Sequence, residues 1–187
     1  MEALYVEYIY SEKDARRYLK TQRPFIKNES PVLGPLGVNF DDFGSSDHYY
    51  KGAWILHTLR HVINDDEVFF PMLKSFYQDN KRSIVNTQQV VDYFSRFAKR
   101  DLGPFFEQYL EHPDLPVLQL RQNGDQVEYR WKADVAAFNM PVGILIGDDP
   151  VRVQPLTDKW QVMGKGFEPA EVKVDESRFL VDLEVVK

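Results

Sequence analysis

The chain has 187 residues, 43% hydrophobic and 14% aromatic, enough for one larger or two small domains with real cores and too apolar for a disordered chain. A formal net charge of −6 argues against a generic nucleic-acid binder, since the basic runs at Lys13 to Arg17 and Lys99-Arg100 are interleaved with acids or read as solvated helix faces. No apolar run approaches the roughly 20 residues of a membrane span, and the absence of cysteine excludes a disulfide framework, a thiolate zinc site and a cysteine nucleophile while leaving the compartment open.

Residues Met1 to Tyr10 are amphipathic and aromatic, with no capping residue in front, so this helix reads as cut at its start. The opening also lacks the basic region and apolar core of a signal peptide. Ser11 with Asp14 three places later reads as a capping box for a second helix through Gln22, ended by Pro24. From Pro24 to Ser46 the pattern dissolves into a long loop carrying Pro31, Gly34, Pro35, Gly37 and Gly44. Asp47 is the expected N-cap of the next helix, whose Ile55, Leu56, Leu59, Val62 and Ile63 form one apolar stripe. Asn64 and Asp65 cap a further helix, with Pro71 predicting a late start or a kink. Thr87 is the expected cap of the helix that carries Val90, Val91 and Phe94. Gly103-Pro104 opens a short last helix.

At His112-Pro113-Asp114-Leu115-Pro116 the period changes from helical to alternating, which predicts a domain boundary between 1–113 and 114–187. Val117 to Arg121 and Val127 to Trp131 flank Asn123-Gly124, a two-residue hairpin signal. Further strands are expected over 140–146, 151–154, 159–163, 170–174 and 179–186. Short strands between turn residues favour an antiparallel sandwich. The fold class expected is α+β by segregated domains.

Tyr49 falls in the first turn of the helix after the loop, where a phenol can face a cleft. The string Tyr49-Tyr50-Lys51-Gly52-Ala53, followed by an aliphatic helix to Leu59-Arg60, resembles the Tyr-Glu-Lys-Gly-Ala segment of the aminopeptidase N family of zinc metallopeptidases. Leu102, the paired Phe105-Phe106 and the ending Gln108-Tyr109-Leu110 resemble the close of that family's helical catalytic domain. The resemblance implies that Tyr49 donates a hydrogen bond to the oxyanion of the tetrahedral intermediate. It implies the helical C-terminal part of a thermolysin-like catalytic domain followed by an antiparallel β-sandwich, with the opening helix at Met1 to Tyr10 directly after the stretch that supplies the third zinc ligand. It also implies a parent enzyme that binds zinc and peptide substrate, and a missing N-terminal half as partner.

His-Glu-x-x-His and the glutamate ligand are absent, so this chain is expected to hold no metal or cofactor and to be inactive alone. His57 and His61 have the i, i+4 spacing of a zinc helix, but Thr58 stands where a general-base carboxylate is needed. A structural or surface role is expected for both. Glu2 and Glu7 lack the asparagine and glycine that flank the family ligand and read as solvated helix acids. His48 and His112 read as loop-orienting, and Lys51 as a rim residue without a role. The alternative is a non-catalytic interaction module that kept the scaffold.

Overall fold

The computed structural model describes residues 2–34 and 45–187. Among these residues six α-helices come first: α1 (Glu2–Ile9), α2 (Glu12–Gln22), α3 (Asp47–Ile63), α4 (Asp66–Asn80), α5 (Thr87–Ala98) and α6 (Gly103–Glu111). Seven strands follow: β1 (Val117–Asn123), β2 (Gln126–Lys132), β3 (Val142–Ile146), β4 (Asp149–Val153), β5 (Gln161–Lys165), β6 (Val172–Val174) and β7 (Asp182–Val185). The architecture is α+β, a helical part followed by a sandwich-like pair of sheets. Among the described residues no helix is long and apolar enough to cross a membrane.

Local chemistry explains most of the helix boundaries. Ser11 caps α2 by accepting from Asp14 N–H at 3.1 Å, and a 3₁₀ turn over Arg23–Phe25 follows. Asp65 caps α4, which starts at Asp66; the late start expected from Pro71 does not occur. Only one amide, that of Pro71 itself, is lost to the ladder, and the cap and the apolar face carry the helix across it. The cap of α5 is Asn86 rather than Thr87, because Asn86 and Gln89 exchange side-chain bonds to each other's backbone at 2.9 Å. Pro35, Gly37 and Gly44 of the expected loop lie outside the described residues.

The first sheet has the order β5-β2-β1-β7, the second β4-β3-β6. In the hairpin, Leu118 faces Trp131 and Leu120 faces Tyr129 on the buried side. The outer face pairs Gln119 with Arg130 and Arg121 with Glu128. The turn is Gly124-Asp125 rather than Asn123-Gly124: Asn123 pairs with Gln126, and Gly124 alone takes a positive φ, 62°, at the first central position. The sandwich is not wholly antiparallel, since β7 runs parallel to β1. That strand begins only at Asp182, because the backbone of the buried Leu180 is bonded to helices: its N–H donates to Thr58 Oγ1 at 3.0 Å and its carbonyl accepts from Tyr109 O–H at 2.8 Å.

One apolar core runs through both parts. Leu19, Trp54, Leu59, Met72, Phe94 and Tyr109 of the helices are continuous with residues of both sheets. Polar bolts cross the same interface. Gln108 donates to Asp114 O and the Asp134 carboxylate, and accepts from Val135 N–H. Arg152 donates to the carbonyls of His61 and Val62, closing the C-terminal end of α3.

Candidate functional site

Tyr49 lies in the first turn of α3 and is 70% exposed. Its ring sits 4.1 Å from that of His48. Both line an open cleft of about 520 Å³ together with Glu2, Tyr18, Gln22 and Tyr50. Tyr50 is held from behind by Phe25, ring to ring at 5.3 Å. The phenol therefore stands in solvent at a helix mouth, with a carboxylate and two further phenols around it.

Glu2 is not simply a solvated acid: it accepts from Tyr18 O–H at 2.7 Å, and this bond pushes the Tyr18 phenol above its usual range. Glu7 departs further from expectation. It binds Arg60 through both oxygens, at 2.6 and 3.0 Å, and Asp66 takes the other edge of the guanidinium at 2.8 and 2.7 Å. Phe70 lies under the same cation, 4.8 Å from ring centre to Cζ. The hydrogen bonds that Arg60 donates to Asp66 and Glu7 raise its pKa, and Arg60 in turn lowers that of Asp66. This clamp ties α1 to α3 and α4. Arg60 was legible only as the end of a helical string, because its partners lie in other helices.

Asp47 and Lys51 are the larger correction. Ser46, not Asp47, stands at the N-cap of α3, and it makes no side-chain cap bond. Asp47 is helical and buried, and its two oxygens accept from the N–H groups of Lys27 and Asn28 at 2.8 and 2.7 Å. Lys51 lies not on the rim but fully inside, donating to the carbonyls of Pro113 at 2.7 Å and His112 at 3.3 Å. Burial pushes its pKa down, against the opposing pull of Asp47 and Asp114. The sequence signal was an acid and a base one turn apart. That spacing ordinarily marks an exposed pair, so the buried fate was hidden.

His57 and His61 face the connection before β7. His57 donates Nε2–H to the Ser177 carbonyl at 3.0 Å, and the two rings meet edge to face at 4.7 Å. Burial lowers the pKa of His57. His61 packs toward Phe179, and its buried Nε2 has no partner. Burial, then the charges of His57, Arg178 and Arg60, push His61 down to about 3. His112 lies 3.9 Å from the Asp134 carboxylate. Lys99 takes the left-handed position closing α5, and Arg100 is no free basic face, since it donates to Asn139 O at 3.0 Å. Among the described residues no group of three or more histidine, aspartate or glutamate side chains is placed to hold a metal.

No protein-family model matches the chain, and no curated protein does. Among solved structures it is similar to the aminopeptidase A of Legionella pneumophila, determined in complex with aspartic acid, with a TM-score of 0.59 and 17% identity over 99% of this chain. The fold is aminopeptidase-like. The chain spans 23% of the length of that aminopeptidase. At this identity the likeness concerns the arrangement of helices and sheets, and the roles of Tyr49 and its neighbours rest on their own geometry.

Proposed function

We propose that this chain is the C-terminal part of a zinc-dependent aminopeptidase of the aminopeptidase N family, which removes N-terminal residues from peptides. In this reading, residues 1–113 are the later helices of a thermolysin-like catalytic domain, and 114–187 the sandwich behind it. In this reading the zinc ligands and the general base belong to a preceding part of a longer protein, because the His-Glu-x-x-His and Asn-Glu-Gly strings of the family do not occur in this sequence. Tyr49 contributes the phenol that donates to the oxyanion formed when water adds to the scissile carbonyl. A donor fixed where charge develops stabilises the transition state more than the ground state. The observation that carries the reading is the exposed Tyr49 phenol on the cleft, flanked by two buried charged residues of the same helix turn.

The test uses the longer protein. Tyr49→Phe should lower kcat by about a hundredfold or more with KM little changed, the pattern of a donor engaged in the transition state. An unchanged kcat would sink the role. This chain alone, mixed with an aminoacyl anilide and excess zinc, should show no turnover; activity abolished by a chelator would refute the assignment of the metal site elsewhere.

A second reading, a non-catalytic interaction module on the same scaffold, draws on α1. That helix has no buried residue, and it and the turn after it present Tyr5, Tyr8 and Tyr10 at 66%, 86% and 73% exposure. In the aminopeptidase reading the same face receives the preceding half of the protein. The upstream reading frame separates the two: an uninterrupted frame encoding His-Glu-x-x-His supports the peptidase, and a genuine start at Met1 supports the module.

A further inference from the structure

The first turn of α3 is anchored in an unusual way. A helix start leaves its first four N–H groups unsatisfied, and a side-chain cap normally fixes the entry of the chain. Ser46 provides no such bond. The Asp47 N–H donates to Ser45 Oγ at 3.2 Å, and the turn is tied to the neighbouring segments by two ionic side chains one turn apart. Asp47 grips the N–H groups of Lys27 and Asn28, which follow α2, and Lys51 grips the carbonyls of Pro113 and His112, which lead into the sheets. The two residues are 2% and 0% exposed. Being four apart they share one face, and Tyr49, two residues from each, projects from the opposite one, about 200° around the axis from Asp47.

Burying two ions is a poor way to gain stability, because well-packed apolar residues of similar volume do as well or better. What apolar residues cannot do is bind backbone amides and carbonyls. All four partners here are backbone groups, two on each side of the helix mouth. The effect of the pair is to fix where the helix starts and how it is rotated. The direction in which the Tyr49 side chain leaves the backbone on the far side is then set.

We propose that Asp47 and Lys51 are positioning residues for Tyr49, holding its phenol on the cleft by locking the first turn of α3 to the segments at 27–28 and 112–113. The inference rests on the reading of Tyr49 as an oxyanion donor. It adds that the chain leading into the sheets takes part in aiming that donor, through Lys51.

Two readouts test it. In the full 187-residue chain, 3-fluorotyrosine at position 49 reports the phenol by fluorine NMR, and a second label at the buried Tyr109 reports folding. Lys51→Met should shift and broaden the Tyr49 resonance and leave that of Tyr109 in place. A Tyr49 resonance identical to the parent's overturns the proposal. If the Tyr109 signal is lost, Asp47→Asn, which keeps one carbonyl acceptor, is measured instead and judged by the same two results. In the longer enzyme, Lys51→Met should lower kcat by about tenfold to a hundredfold with KM nearly constant, as a small misplacement of a reacting group does. Lys51→Arg should restore part of it. Combined with Tyr49→Phe, Lys51→Met should add almost nothing, since it acts through the phenol. Full additivity overturns the positioning role. A Tyr49→Phe enzyme with normal kcat removes the oxyanion reading instead, and the fluorine spectra still decide whether Lys51 holds the turn.

Discussion

Replacement of His61 by leucine should make the chain more tolerant of acid. In the fold, the His61 ring is inside the interface between α3 and the connection before β7, with Nε2 unbonded and a pKa of about 3. Arg60, His57 and Arg178 disfavour its protonation from α3 and from that connection, and only Asp66 pulls the other way. In the unfolded chain the same ring titrates near the ordinary value of about 6.5. Between those two values the unfolded state binds the extra proton, so stability is complete above about pH 6.5 and falls as the pH is lowered. At pH 5 the folded ring is still neutral, and the loss follows from the distance to the unfolded value: about 1.5 units at 1.36 kcal/mol per unit, or about 2 kcal/mol. With an urea m-value of about 2 kcal/mol/M for a chain of this size, the parent midpoint should drop by about 1 M from this group between pH 7.5 and 5. Other groups, His57 among them, titrate in both proteins and cancel in the comparison. His61→Leu should therefore lose about 1 M less than the parent over this interval. Equal losses in the two proteins would refute the reasoning, whatever the stability of the variant at pH 7.5.

Tyr109→Phe removes a fully buried hydrogen bond to the Leu180 carbonyl and should cost about 1–3 kcal/mol in chemical denaturation. Burial holds the Tyr109 pKa well above its usual value, so its contribution is complete below about pH 10 and is lost as the pH rises further; the variant should show a shallower alkaline decline, measured as the denaturation midpoint against pH. Arg60→Met leaves Glu7, 23% exposed, with no cation, while Asp66 at 54% is screened by water. The expected loss is about 3 kcal/mol, near the lower end for breaking a buried pair, and thermal unfolding with a midpoint unchanged from the parent would exclude the clamp as a stabilising contact.

Much of the fold was written locally. Ser11 and Asp65 announce helix starts because a short polar side chain can satisfy an amide two or three residues ahead, and both do so here. The hairpin was legible for the same reason, although its turn is set one residue later: a positive φ at Gly124 alone suffices when Asn123 is kept in the ladder. What the pattern could not reveal was pairing at a distance. The parallel alignment of β7 with β1 depends on the route of the chain through Leu180, whose backbone is bonded to Thr58 and Tyr109. Glu7 and Lys51 belong to the same class: their surroundings are assembled from segments far away in the chain. Tyr49, by contrast, was accessible to sequence reasoning, because a first-turn position next to a polar loop needs no remote partner to reach solvent.

The concealed contacts share a chemical feature that explains why they were concealed. Arg23, Tyr109 and Arg152 each donate to a main-chain carbonyl across the interface between helices and sheets, and Lys51 donates to that of Pro113 in the connection between them. A carbonyl is present whatever side chain occupies the position, so no complementary residue need appear in the sequence to mark the acceptor. Substitution at His112 or Pro113 would leave the Lys51 acceptors in place, whereas substitution of Lys51 would take the donor from two partly buried carbonyls, at a cost of about 1 kcal/mol for each. The burden of holding the helix mouth to the sheet side thus falls on the donor alone. A site built this way tolerates change in the connection it grips and little change in the side chain that grips it. Mutational sensitivity should therefore concentrate at Lys51 and Asp47 and be weak at the residues they touch.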